Sequence, residues 1–330
     1  MKRILSLPAA VLVLAAASSA RAQIPDGPFL GQSDPPAVPA LFAPGLVNLG
    51  LATRDVAMTP DGDEFYFGVS VGEFELSTVL VCRRLGNGWT PPEVAPFAAD
   101  PRYKVMEPCI SPDGALLFFA SDRPREGDGP ARPDHDIWFA ERIPGGWGPA
   151  RPVPGGVNSE APDFYPSIAR NGTLYFTRDD PATGLSELRR ATRAGGAWNE
   201  SERLPEAVQL GRTRFNAWVD PDERFLIIPV FGMPDSRGGT DYYLVRRLAD
   251  GWSEPANLGD AVNSADRREY SACLSPDGRA LFFMSARNDL AARAPRPLTL
   301  AGLRDLDAAP GNGRSAIWWV DAGCIETLAR

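Results

Sequence analysis

The sequence predicts an all-β protein, a five-bladed β-propeller with four-stranded blades, and three observations carry that expectation. A hairpin around a Ser-Pro-Asp-Gly turn recurs as Thr59-Pro60-Asp61-Gly62, Ser111-Pro112-Asp113-Gly114 and Ser275-Pro276-Asp277-Gly278, with looser copies at Arg170-Asn171-Gly172 and Asp220-Pro221-Asp222-Glu223. The turn prolines, or Arg170 in their place, stand at 60, 112, 170, 221 and 276, a period of 51 to 58 residues. Repeats of that length holding several short strands mark a propeller. Finally, the fifth copy lacks its last strand, and a segment resembling that strand stands near the other end of the sequence.

In each turn proline presets φ, aspartate bonds its own backbone and glycine accepts the positive φ that ends the turn. The strand that follows is bulky, as in Phe65-Tyr66-Phe67, Leu116-Leu117-Phe118-Phe119, Leu174-Tyr175-Phe176, Phe225-Leu226-Ile227-Ile228 and Leu281-Phe282-Phe283-Met284, which suits a buried pleat. A third strand then leads to an aromatic turn, at 78–84 before Gly88-Trp89, 136–139 before Gly146-Trp147, 187–190 before Ala197-Trp198 and 241–245 before Gly251-Trp252. An outer segment follows, clearest as Glu254-Pro255-Ala256-Asn257-Leu258-Gly259, where an edge strand tolerates proline. The fifth unit stops at its third strand, 315–320, whereas Pro44-Gly45-Leu46-Val47-Asn48-Leu49-Gly50 echoes Pro255-Ala256-Asn257-Leu258-Gly259. An N-terminal strand is therefore expected to close the last blade and remove an open sheet edge, which gives five blades rather than six.

These residues resemble the WD-like β-propeller repeat family of the Pro-Asp type, the TolB-like propellers. The resemblance is carried by the Ser-Pro-Asp-Gly turns, the Leu-Phe-Phe-x-Ser strands, Ser121-Asp122-Arg123, Asp136-Ile137-Trp138, Asn257-Leu258-Gly259 and Val262-Asn263-Ser264, and covers nearly all of residues 42–322. It implies an exported bacterial propeller that binds an envelope protein or extracellular ligand, often beside a peptidoglycan-binding or peptidase domain, and neither domain is read in this sequence. The third copy lacks Pro-Asp and the fourth lacks Gly, so those two blades depart furthest from the pattern.

Met1-Lys2-Arg3, an apolar run over 4–17 and the small residues before Gln23 read as a signal peptide over 1–22, cut after Ala22. The run is shorter than the roughly 20 residues that span a bilayer. The expectation is a periplasmic or secreted monomer with no membrane span. Residues 23–41 hold Pro25, Pro28, Pro35, Pro36 and Pro39 and read as an extended, weakly ordered Pro-rich leader, with the propeller domain over 42–330. Removing 1–22 deletes three basic residues and no acid, which takes the formal net charge from −8 to −11. Nucleic acid is excluded as a partner, because phosphates need a basic surface.

The search for chemistry returns negatives. With His135 as the one histidine, multi-histidine zinc sites are excluded, and flanked by Asp134 and Asp136 it reads as a solvated loop residue. Gly311-Asn312-Gly313 reads as a turn, and no cofactor is expected. Cys82, Cys109, Cys273 and Cys324 read as free thiols packed as small hydrophobes.

What remains is charge on one face. In a four-stranded blade, the loops leading into the first strand share a face with those joining the second and third. The lead-in loops hold Asp55, Glu107, Glu160, Asp163, Asp266 and Glu269 beside Arg54, Arg102, Arg212, Arg214, Arg267 and Arg268, and the second set adds Asp122, Arg123, Arg178, Asp179, Asp180 and Arg287.

Three readings fit this rim. The first is a non-catalytic scaffold that binds an envelope protein or extracellular polysaccharide through Arg54, Asp55, Glu107, Asp163, Arg214, Trp218, Arg268 and Glu269. The second is a glycan-active enzyme using Asp55, Glu107, Asp163 or Glu269 for acid and base work, as arabinanase-type propellers do. The third has the acids and arginines pair with one another and do no more. Most tryptophans fall at the repeated turn, where a structural role is expected; Trp218 breaks the repeat and, with Tyr165 and Tyr270 near the channel mouth, would suit a sugar. The connection from Arg287 to Arg314 is the longest in the sequence; Leu298, Leu300, Leu303 and Leu306 suggest a short helix or turn over the ring mouth, while Pro295, Pro297, Pro310 and its arginines equally suit a floppy insertion.

Overall fold

The computed structural model describes residues 24–329 apart from Ser33, Asn87, Asp266 and Arg267; the signal-peptide reading of 1–22 lies outside the described residues. Five small antiparallel sheets form a ring. Blade 1 is Ala52–Met58, Glu64–Val71, Leu76–Leu85 and the outer pair Glu93–Val94. Blade 2 is Val105–Ile110, Leu116–Ser121, Asp136–Ile143 and Arg151–Pro152. Blade 3 is Asp163–Ile168, Leu174–Asp180, Leu185–Ala191 and Glu202–Arg203. In blade 4 the inner strand is split into Thr213–Arg214 and Trp218–Val219, followed by Phe225–Phe231, Thr240–Leu248 and Ala256–Asn257. Blade 5 is Ala272–Leu274, Ala280–Ser285 and Ala316–Asp321, and its outer strand is Ala40–Leu41. The bulky second strands pack between neighbouring blades, as Phe65 and Phe282 do with Phe42.

The turns explain the repeat. Ser111 donates to Asp113 Oδ1, Ser111 Oγ accepts from Leu116 N at 2.9 Å, and Gly114 at φ 72° closes the bend. Thr59 with Asp61 and Ser275 with Asp277 do the same. In the fourth copy Glu223 holds the glycine's place at φ 56°. Its carboxylate accepts from Tyr175 and Asn171 of blade 3, contacts that offset the strain of a non-glycine residue there.

Ring closure by the N-terminal strand is observed, with a different register. The paired residues are Ala40 with Trp319 and Leu41 with Trp318, ahead of the segment the motif singled out. Asn48 plays another part. Its amide accepts from Ile317 N at 3.0 Å and donates to Ile317 O at 2.8 Å, clasping the third strand of blade 5. Asn158 clasps Ile137, Gln209 clasps Leu188 and Asn263 clasps Tyr242 in the same two-bond manner. Asn48 is thus the counterpart of Asn263, not of Asn257.

The leader is extended but not weakly ordered. Ile24–Pro25 pairs with Gly88–Trp89, and Phe29 is buried against Trp319 and Phe282 with ring centroids 5.6 and 6.1 Å away. Pro36 O accepts from Asp321 N at 2.8 Å. Proline content signalled extension, yet one buried aromatic supplies the anchoring energy, on the order of 2 kcal/mol.

Among the turn tryptophans, Trp89, Trp147 and Trp198 donate their indole N–H to Gly27 O, Tyr66 Oη and Gly172 O, and Trp147, Trp198 and Trp252 lie under Arg142, Arg193 and Arg247. The four cysteines are free. The long connection after Ser285 folds into two helices, Leu290–Arg293 and Leu300–Ala308, with Thr299 capping the second through Gly302 N at 3.0 Å. It seats on the lead-in to blade 1, where Asn312 and Arg314 both donate to Gly50 O. Gly50 has φ 81°, and a Cβ there would collide with the Ala308 carbonyl.

Candidate functional site

We call the face carrying the Pro-Asp turns the lower face and the opposite one, with the lead-in loops, the upper face. Five residues before each turn proline, or before Arg170, stand Asp55, Glu107, Tyr165, Asn216 and Ser271. The first four have φ of 54°, 58°, 50° and 50°, and three of them lie at register shifts in the inner strands. A bulge re-aims its side chain, and a positive φ in a non-glycine residue costs on the order of 1 kcal/mol or more, so other contacts must hold these residues.

Those contacts run from blade to blade. Arg54 of blade 1 pairs with Asp55 Oδ2 through Nε at 2.7 Å and with Glu107 Oε1 of blade 2 through Nη2 at 2.9 Å. Ser271 of blade 5 donates to the other Asp55 oxygen. Glu107 Oε2 accepts from Tyr165 N of blade 3 at 2.7 Å, and Asn216 of blade 4 bonds the same carboxylate. The Tyr165 hydroxyl crosses to Ala272 O of blade 5 at 3.3 Å and floors the cluster. One polar hub therefore joins all five blades at the axis. Gly68 makes room for it, since a Cβ there would press on Arg54 O and Asp55 Oδ2 at 3.2 Å.

The hub is shut. The Asp55 and Glu107 side chains are 1% and 4% exposed. Burial pushes the Glu107 carboxyl up, against the opposing pull of Arg54, and although burial pushes the Arg54 guanidinium down, Asp55 and Glu107 more than offset it.

Of the residues singled out in the sequence, the structure brings Arg54, Asp55 and Glu107 together. Asp163 stays within blade 3, accepting from Arg178 Nε at 2.7 Å and from Ser159. Glu269 stays within blade 5, accepting from Ser264, Ser285 and Arg287. Arg214 donates to the Leu210, Gly211 and Ser186 carbonyls. Arg268 reaches Gly313 O at 3.3 Å, behind the two-helix insertion. Trp218 lies towards the lower face, packed on Phe225, whereas Tyr270 pairs with Phe215, so these two rings do not share a mouth. Asp266 and Arg267 lie outside the described residues. Tyr165, expected beside Trp218 and Tyr270 as a sugar platform, instead belongs to the hub, and Asn216 and Ser271, uncharged, carry no sequence signal except the place five residues before the turn that they share with Asp55, Glu107 and Tyr165. His135 is not solvated: it is half-buried, and burial pushes its imidazole down.

Glu269 carries a testable pH dependence. Burial pushes its carboxyl from 4.5 up to about 7 despite its hydroxyl and arginine partners, and Oε2 has no hydrogen-bond partner among the described residues. Between those values the folded protein keeps a proton that the unfolded chain has lost, so this stabilisation is complete below about pH 4.5 and fades as pH rises through about 7. The melting temperature of Glu269→Gln is expected to fall less over that window than that of the unsubstituted protein; parallel pH profiles would reject this.

No protein-family model matches the chain, and no curated protein matches it in sequence. The protein is similar in fold to a BT0996 RGII complex, with a TM-score of 0.53 at 8% identity over 88% of this chain and 92% of that one. A glycoside hydrolase structure scores 0.52 at 8% identity with the same coverage. TolB from Acinetobacter baumannii scores 0.47 at 13% identity, over 82% of this chain but 54% of that protein's length. Likeness at such identity shows the fold alone. No helix among the described residues is long and apolar enough to cross a membrane.

Proposed function

We infer that this propeller is a non-catalytic scaffold that docks a partner protein on its upper face. The observation that carries this reading is the placement of exposed apolar side chains. Of the fourteen large hydrophobic residues that are exposed among the described residues, nine sit at the upper face, in its loops or at the strand ends beside them: Leu51, Val71, Phe74 and Leu76 on blade 1, Leu185 on blade 3, Phe231 on blade 4, and Leu298, Leu300 and Leu303 on the blade 5 insertion. The insertion and the blade 1 lead-in touch at Gly50, which joins two of these groups. Apolar side chains gathered on one face mark a protein interface, and aromatic anchors in such a face carry most of the binding energy. Phe74 stands at φ 76° over Arg54, its ring centroid 5.6 Å from the guanidinium, so the polar hub supports the anchor from beneath.

The glycan-active alternative asks Asp55 and Glu107 to reach a substrate. Both are committed to one guanidinium and sealed, whereas a glycosidase pair flanks the scissile bond with room for a sugar or water between. No hydrolysis of arabinan or related glycans is expected; turnover that Glu107→Gln abolishes would establish the enzyme reading instead.

The docking reading is tested by a charge-introducing triple, Phe74→Glu, Leu300→Glu and Leu303→Glu, against Leu248→Glu on the lower face. A partner cross-linked from envelope extract is expected to be lost with the triple and kept with the control. Equal capture by both would reject the upper-face site.

A further inference from the structure

The lower end of the channel holds a cavity of about 410 Å³, within the range of small-molecule sites. Tyr165 divides it from the hub, so it is a separate compartment with its own mouth. Two departures from the repeat meet in it. Three residues before the turn proline, blades 1, 2, 3 and 5 carry the small Ala57, Cys109, Ser167 and Cys273, while blade 4 carries Trp218. At the turn position itself blades 1, 2, 4 and 5 carry proline, while blade 3 carries Arg170. Both odd residues line this cavity, from adjacent blades. Repeat positions drift towards whatever the ring needs for packing, and the two largest exceptions here converge on one empty space.

Their chemistry is complementary. Trp218 is half-buried and offers an aromatic wall among the prolines, Val219 and Ile110. Arg170 stands at the rim with its side chain 60% exposed; Nε bonds Asp222 at 2.9 Å, while its Nη groups donate to no acceptor among the described residues. The other rim arginine, Arg224, is committed to Asp220 through Nε and Nη2 at 2.9 and 2.6 Å. We propose that this cavity binds a small organic anion with a planar aromatic body, the ring against Trp218 and the carboxylate on the open Nη edge of Arg170. Guanidinium forks favour carboxylates, and aromatic pairs add to area burial.

The test is a charge series on one ring, read by titration calorimetry: indole-3-acetate, indole, tryptamine and acetate. Indole-3-acetate is expected to bind one to one, at least tenfold tighter than indole and tighter still than tryptamine, with acetate silent. Arg170→Gln is expected to bring indole-3-acetate down to the level of indole, and Trp218→Leu to weaken both rings tenfold or more. Equal binding of the acid and the amine by the unsubstituted protein would overturn the proposal without recourse to any variant. So would an unchanged affinity in Trp218→Leu.

Discussion

Replacing Arg54 with methionine is expected to destabilise the protein by about 3–5 kcal/mol, the usual consequence of removing one partner from a buried charge cluster. The guanidinium is the only cation paired with either hub carboxylate among the described residues, and its loss leaves Asp55 and Glu107 buried with hydroxyl, amide and backbone donors alone. Burial already pushes the Glu107 carboxyl up, and without the guanidinium nothing cationic among the described residues opposes it, so the loss should deepen as pH rises above the range in which Glu107 stays neutral. The sharper comparison is with the triple Arg54→Met, Asp55→Asn and Glu107→Gln. A cluster made wholly neutral keeps most of its hydrogen bonds and avoids the uncompensated charge, so the triple should recover a large part of the lost stability. Denaturant titration of the three proteins decides it. If the triple is no better than the single substitution, the hub is held by shape and not by charge pairing.

The second large effect lies at the ring's seam. A protein truncated to start at residue 49 is expected to show no cooperative unfolding transition, because, besides the leader's own contacts, it loses three attachments of residues 40–48 together. The outer strand Ala40–Leu41 goes, exposing the edge of the Trp318–Trp319 strand. Phe42, fully buried among Phe65, Phe282 and Trp319, goes as well, and Phe42→Ala alone should cost about 3–5 kcal/mol. The Asn48 clasp on Ile317 is the third, and Asn48→Ala should cost about 1–3 kcal/mol by orphaning a buried donor and acceptor. A truncated protein that melts where the full chain does would refute the seam; additive small losses from the point substitutions would show a non-cooperative one.

The seam also shows where motif reading slipped. Asn48-Leu49-Gly50 and Asn257-Leu258-Gly259 are identical strings, and matching them placed the closing strand too late. The better match is Val47-Asn48 with Val157-Asn158, Val208-Gln209 and Val262-Asn263, because each of those amides meets the backbone of a third strand. A string of three letters does not say which side chain will find a peptide group. The same limit applied to the charged rim: Asp163, Glu269 and Arg214 look like Asp55, Glu107 and Arg54 in sequence, but their partners lie within their own blades or on loop carbonyls.

The sequence by itself determined the blade number, the turn chemistry and the fact of closure, since these depend on local propensity and on a period that any copy of the repeat displays. The tertiary structure alone decided which charges meet. At the axis the inner strands of five blades converge on one polar cluster, and Asp55, Glu107 and Tyr165 are aimed into it by a register shift and a positive φ that no hydrophobic pattern records. The same convergence brought Arg170 and Trp218, 48 positions apart in sequence, to the lining of one cavity.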